Sequence, residues 1–195
     1  MTLPDFQRKA RQQAIEIAQH VIKQKPIYID TETTGLDSTA EIVEISVVDH
    51  DGSVLLETII RPKNPIPSDA LAIHHITNEM VKDARPWYVI WPTLRPILFG
   101  RMLAFYNADF DMRMMKQSYE QYGTPWKENF QSFDILKLYA QFATVWDPRR
   151  RSFKYHSLEA AGRACNIPLQ NTHRATADTL LTRTLLHYIA NYKLE

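Results

Sequence analysis

Apolar positions change period twice in the first quarter of the chain, and that change separates helix from sheet. Across Asp5–Lys23, Ala14, Ile15, Ala18, Val21 and Ile22 recur at helical spacing, and Pro26 closes the pattern. Residues 26–31 then read as a buried strand, and Ile42–Val48 as a second, with Val43, Ile45 and Val47 on one face. Asp51-Gly52 predicts a hairpin turn into a third strand over 53–61. Pro62, Pro65 and Pro67 mark a loop that cannot join a ladder.

Helical spacing resumes from Ser68, from Asn78 and over residues 86–99, where Pro92 and Pro96 predict a kink or an interruption. A fourth strand is expected over 101–106, a helix over 109–122 and a short fifth strand over 130–133. Asp134 is placed to cap a helix reaching Ala143, and the last helices fall at 157–165 and 175–191. Three antiparallel strands followed by alternating helix and strand predict an α/β protein with a mixed five-stranded sheet flanked by helices. Residues 1–25 form a helical extension ahead of a domain over 26–195.

Composition narrows the classes. A chain of 195 residues buries about 70 % of its unfolded surface, enough for a core without staples. Its 45 % hydrophobic and 23 % charged content is that of an ordinary globular protein. The net charge of +1 means that any contact with phosphates must come from local patches. Cys165, the sole cysteine, excludes an internal disulfide and fits a reducing compartment, so a cytoplasmic location is expected. No apolar run approaches the roughly 18 residues of a membrane span. Asp5, Arg8, Lys9, Arg11 and Glu16 are foreign to a secretory signal. There is no internal repeat and no low-complexity segment.

The chemistry begins at Asp30 and Glu32, at the end of the first strand. Period-two alternation turns both carboxylates to one side, and adjacent buried like charges are costly unless protonated or neutralised. A shared metal dication is the simplest way to keep both ionised. Asp111 lies where a strand meets a helix, a placement that the helix dipole alone also rewards. Asp178 follows His173 by five residues, about 500° on a helix, so the two diverge unless His173 lies on the preceding loop. Asn171 and Thr172 are suitable helix-start residues and permit that arrangement.

Other polar clusters carry simpler readings. Asp49-His50-Asp51 falls on the hairpin turn, and Asp109 forms Asp-x-Asp with Asp111 at a helix start. Met112, Met114 and Met115 fit a helix packed on a strand. His156 and His187 have no acidic partner in a recognised pattern, and Cys165 reads as a small buried apolar residue. Arg149, Arg150, Arg151 and Lys154, interleaved with Trp146, Phe153 and Tyr155, form either a solvated basic loop or a track for nucleic-acid phosphates.

Three segments together resemble a known family. Ile-Asp-Thr-Glu-Thr-Thr-Gly at 29–35, Asn-Ala-Asp-Phe-Asp at 107–111 and His-Arg-Ala-Thr-Ala-Asp at 173–178 resemble the exonuclease motifs of the DEDDh 3′→5′ exonucleases. That group includes RNase T and the proofreading subunit of the bacterial replicative polymerase. Ala-Ile-His-His-Ile-Thr at 72–77 resembles the family's Val-His-Gly-Ile-Thr segment. Tyr106 stands where many members have His, and His75 where Gly is usual, a change that would narrow the nucleotide pocket.

The resemblance, which runs from about Pro26 to Tyr188, implies a ribonuclease H-like fold and two Mg²⁺ or Mn²⁺ ions held by Asp30, Glu32, Asp111 and Asp178. It makes Asp30 the bridge, places Glu32 and Asp178 on the metal that activates water, and Asp111 on the metal near the leaving group. His173 becomes the general base. Thr33, Thr34, Leu36, His74 and Phe110 are implied to hold the terminal nucleotide. The expected reaction releases nucleoside 5′-monophosphates from the 3′ end of single-stranded or unpaired DNA. The alternatives are an exoribonuclease acting on RNA tails or short oligoribonucleotides, and a silent nucleic-acid-binding or polymerase-associated module. Four acids with His173 argue against the silent module. Any polymerase partner would be non-covalent, and no membrane partner is expected.

Overall fold

β1 (Ile27–Thr33) is the middle strand of a five-stranded sheet, in a computed structural model that describes residues 4–168 and 174–194. The sheet order is β3-β2-β1-β4-β5, where β2 is Ile42–Val48, β3 Val54–Ile59, β4 Leu103–Phe105 and β5 Ser132–Asp134. β1, β2 and β3 run antiparallel, whereas β4 and β5 lie parallel to β1. The mixed sheet is the expected one, with strands four and five shorter than their apolar patterns.

Helices cover both faces, which explains why every residue of β2 is buried. On one face Ile27 and Ile29 pack with Trp91, Leu94 and Leu98 of α4 (Trp87–Leu98) and with Met114 and Met115 of α5 (Ala108–Glu120). On the other, Tyr28 packs with Ala14 and Ala18 of α1 (Asp5–Lys23) and with Leu185 and Leu186 of α8 (Ala175–Asn191). α6 (Ile135–Ala143) and α7 (Leu158–Ala164) join that second layer, while α2 (Ser68–His74) and α3 (Asn78–Val81) border β2.

α1 is tied to the body by polar contacts as well as by its apolar stripe. Arg11 Nε donates to the Phe142 carbonyl at 2.8 Å, and Gln19 Nε2 to that of Ala190 at 2.9 Å. Both acceptors lie near helix C-termini, where carbonyls lack intrahelical partners.

Two local expectations change. α4 is not interrupted at Pro92 and Pro96, and both prolines sit on its exposed face, clear of the core. Between α6 and α7 the chain forms a ribbon of β6 (Trp146–Asp147) and β7 (Ser152–Phe153), in place of an irregular loop. Arg151 takes a left-handed conformation at its tip, φ 53°, and Asp147 Oδ1 accepts from the Arg149 and Arg150 amides.

Candidate active site

The alternation of β1 sends Asp30 and Glu32 toward α8 and Thr31 toward α5. Asp178 lies in the first turn of α8. One carboxylate oxygen each from Asp30, Glu32 and Asp178 come within 4.8 Å of one another, spacing that a single cation can span. Asp111, in the first turn of α5, is almost fully buried, and its Oδ1 accepts from the Thr31 hydroxyl at 2.7 Å. Three of the four predicted acids thus meet at the C-terminal end of β1, while Asp111 stands outside that group of three and acts on Asp30 through its charge. His173 lies outside the described residues.

The electrostatics of this cluster are those of a cation site. Burial raises the Asp30 carboxyl well above its usual range, and the charges of Asp111, Glu32 and Asp178 push it further. Glu32 is raised to about 8, again chiefly by burial and then by Asp178. Asp111 is raised to about 7 by burial, with the Thr31 hydroxyl bond pulling the other way. Two carboxylates about 4 Å apart repel by about 4 kcal/mol at an effective dielectric of 20. A divalent ion removes that repulsion, and an all-oxygen donor set with no nearby thiol suits a hard dication. The acidic site thus fits a divalent metal ion.

A fifth acid, which the apolar pattern of β2 concealed, stands beside this cluster and adds its charge to Asp30 and Glu32. Glu44 is fully buried and lies opposite Glu32 in the β1–β2 ladder. Its carboxylate accepts from Arg174 Nε at 3.0 Å, from Arg174 Nη2, and from the Ala175 amide at 3.0 Å. Arg174 is the N-cap residue of α8 and provides no side-chain cap of its own. Glu44 thus caps from a neighbouring strand the helix that carries Asp178. Next to it, the Thr176 hydroxyl bonds Ser46 Oγ at 3.0 Å. The sequence signal was a lone acid within a seven-residue strand otherwise apolar but for Ser46.

The residues expected to hold a nucleotide border the same strand end. Thr33 is buried and donates to the Gly35 carbonyl at 2.8 Å, while Thr34 Oγ1 accepts from the Glu41 amide at 2.9 Å. Leu36 is 78 % exposed, a large apolar side chain free to meet a ligand. Phe110 is partly buried beneath the Arg113 guanidinium, 5.4 Å from its ring centroid. His74 is buried, its Nδ1 accepts from the Ile76 amide at 3.0 Å, and burial holds its imidazole toward the neutral form. His75 is the C-cap of α2 at φ 61°, a left-handed conformation in which Gly has no steric penalty. Its side chain is exposed.

The remaining polar clusters have structural roles. Asp134 caps α6, accepting from the Leu136 and Lys137 amides. Asp109 pairs with Lys137 at 2.7 Å, away from the acid cluster's hydrogen bonds. Asp49, expected to be solvated on the turn, is instead partly buried at the end of β2, where burial would raise its carboxyl but the His50 ring and then Arg101 Nη2, at 2.6 Å, hold it well below the usual range. Tyr106, on the residue before the α5 N-cap, donates its hydroxyl to the His156 carbonyl at 2.8 Å, tying the chain between the β6–β7 ribbon and α7 to the end of β4.

A mixed sheet of this order, with carboxylates from β1 and from the starts of two helices, defines a metal-dependent nuclease of the ribonuclease H-like class. The exonuclease family model RNase_T matches residues 27–186, and the chain belongs to that family. It is a 3′→5′ exonuclease of DEDDh type. It is 37 % identical over 171 residues to the uncharacterized exonuclease CP81 of Escherichia phage 186, covering 84 % of this chain and 87 % of that one. It is 31 % identical over 189 residues to the PolC-type DNA polymerase III of Latilactobacillus sakei, and spans only 12 % of that protein's length. Among solved structures, exonuclease X in complex with 5′ overhanging duplex DNA superposes with a TM-score of 0.63 at 29 % identity, covering 85 % of this chain and 90 % of that one. No described helix is long and apolar enough to cross a membrane.

Proposed function

We propose that the protein removes nucleoside 5′-monophosphates one at a time from the 3′ end of single-stranded or unpaired DNA. The observation that carries this reading is the meeting of Asp30, Glu32 and Asp178 within 4.8 Å, with the Asp111 charge acting on Asp30 from the start of α5. Substrate choice rests on the company the chain keeps: a PolC-type DNA polymerase and an exonuclease captured on DNA are both among its relatives at 29 % identity or above.

Asp30, Glu32, Asp111 and Asp178 are the proposed holders of two Mg²⁺ or Mn²⁺ ions. Such a pair lowers the pKa of an attacking water and stabilises the attacking and leaving oxygens of an in-line displacement. The protein's own part is threefold. Its carboxylates fix where the scissile phosphate sits. His173 takes the proton from the attacking water, a role that suits an imidazole because histidine's unperturbed pKa lies near 6.5. Phe110 stacks on the terminal base, with Thr33, Thr34 and Leu36 against the sugar and base and His74 beside it. Stacking of this kind is sequence-tolerant and contributes about 1–3 kcal/mol per base.

The test compares 5′-labelled single-stranded DNA, RNA of the same sequence and a dinucleotide in one Mg²⁺ buffer. The expected result is stepwise shortening of DNA from its 3′ end, faster than RNA and absent in EDTA. RNA degraded faster would transfer the assignment to an exoribonuclease, and turnover in EDTA would remove the metal scheme. Likeness to a segment of a PolC-type polymerase extends the proposal to a non-covalent polymerase partner. Recovery of a polymerase subunit on the immobilised protein would support that extension, and its absence would remove it.

A further inference from the structure

The geometry points to Glu44 and Arg174 as a positioning pair that sets the first turn of α8 against β1, so that Asp178 reaches Asp30 and Glu32 with the local charge balanced. The inference rests on the proposed metal site but concerns residues outside the ligand set. Glu44 is fully buried, and among the described residues its hydrogen bonds go to Arg174 and the Ala175 amide. The guanidinium meets both carboxylate oxygens, a fork geometry that resists rotation. Three residues beyond Ala175 stands Asp178, and one residue before Arg174 stands His173. The pair therefore sits at the root of the segment that delivers two of the five motif residues.

Two physical roles combine in this contact. As a cap, the Glu44 carboxylate satisfies an orphan amide at the positive end of α8. As a charge, it occupies the residue opposite Glu32, and Arg174 neutralises it, so that the cation is drawn by the ligand acids alone. Removing Glu44 leaves a guanidinium facing the metal cluster, and removing Arg174 leaves a buried carboxylate unpaired. Removing both charges together restores the balance. A simple packing role predicts no such recovery.

The test is a double-variant cycle of Glu44→Gln, Arg174→Gln and the combined variant. It is read by calorimetric titration with Mn²⁺ alone and by kcat and KM on single-stranded DNA. Each single variant is expected to weaken Mn²⁺ binding by about 10–100-fold, the range for groups that orient metal ligands. kcat falls by a similar factor, with KM unchanged within about twofold. The combined variant is expected to lose less than the product of the single losses. Arg174→Lys, which keeps the charge and loses the fork, should fold and fall between wild type and Arg174→Gln. It carries the test should Glu44→Gln unfold in circular dichroism.

Wild-type Mn²⁺ affinity and kcat in the folded single variants would overturn the proposal, as would losses that multiply in the combined variant. Because Mn²⁺ binding is read without substrate, a wild-type protein that binds Mn²⁺ yet leaves DNA intact would overturn the substrate reading and leave this one standing.

Discussion

The Thr31 hydroxyl donates to Asp111 Oδ1 at 2.7 Å across the end of β1, so one strand orients acids on both of its faces. Asp30 and Glu32 project from the strand directly, whereas Asp111 is held through its intervening threonine. Thr31→Val removes the bond with little change of shape. The Asp111 carboxyl, already raised to about 7, loses a group that favours its ionised form. The pH of half-maximal activity on the acid limb should move upward, with KM unchanged, in a pH–rate profile at fixed Mn²⁺. An unmoved acid limb would show that Asp111 is not oriented through Thr31.

The metal-free protein should lose stability as pH rises. Acids whose folded pKa lies above the unfolded value favour folding while protonated, and that contribution fades as they ionise. Here it is fully present below about pH 4. It declines through the values of Glu32 and Asp111, about 8 and about 7. Thermal melting in EDTA from pH 5 to 9 should give a falling Tm over this window, and saturating Mn²⁺ should restore it by binding only the folded state. A Tm in EDTA that rises over the same range would contradict the raised values.

α1 is proposed to serve stability and not catalysis. Ile15 is buried in the core that α1 shares with α8, so Ile15→Ala should cost about 2–5 kcal/mol. Urea unfolding should show a lower midpoint with the same slope, while kcat at low temperature stays at the wild-type value. A large fall in kcat in the folded variant would give the helix a role in the reaction.

The β6–β7 ribbon presents Arg149, Arg150 and Arg151 at an exposed tip, with Trp146 48 % and Tyr155 45 % exposed beside them. The segment that follows it is tied to Tyr106 through the His156 carbonyl. Neutralising the three arginines to Gln should weaken binding of single-stranded DNA and flatten its salt dependence. The log–log slope should fall by about 0.7 for each phosphate that the protein ceases to neutralise. Filter binding across a salt series measures both. An unchanged slope would return the ribbon to a solvated surface.

Much of this molecule could be read from its residues because its signals are local. Period-two runs in β1 and β2 and the Asp51-Gly52 turn set the antiparallel half of the sheet, and the acids at 30, 32, 111 and 178 stood at element ends, where alternation and helix starts fix direction. What escaped was non-local. Glu44 caps a helix 131 residues further along the chain, and no pattern within β2 announces that partner. Pro92 and Pro96 argued for a kink or an interruption, and the interruption is absent from α4 because the side of a helix that faces solvent is decided by tertiary packing. Asp49 looked solvated until Arg101, 52 residues away, supplied its ion pair.

Anomalous scattering from crystals soaked in MnCl₂ tests the central claim most directly. Manganese peaks are expected among the carboxylate oxygens of Asp30, Glu32, Asp178 and Asp111, and they should vanish in Asp30→Asn. Soaked crystals of an active preparation with no peak among these four side chains would contradict the claim.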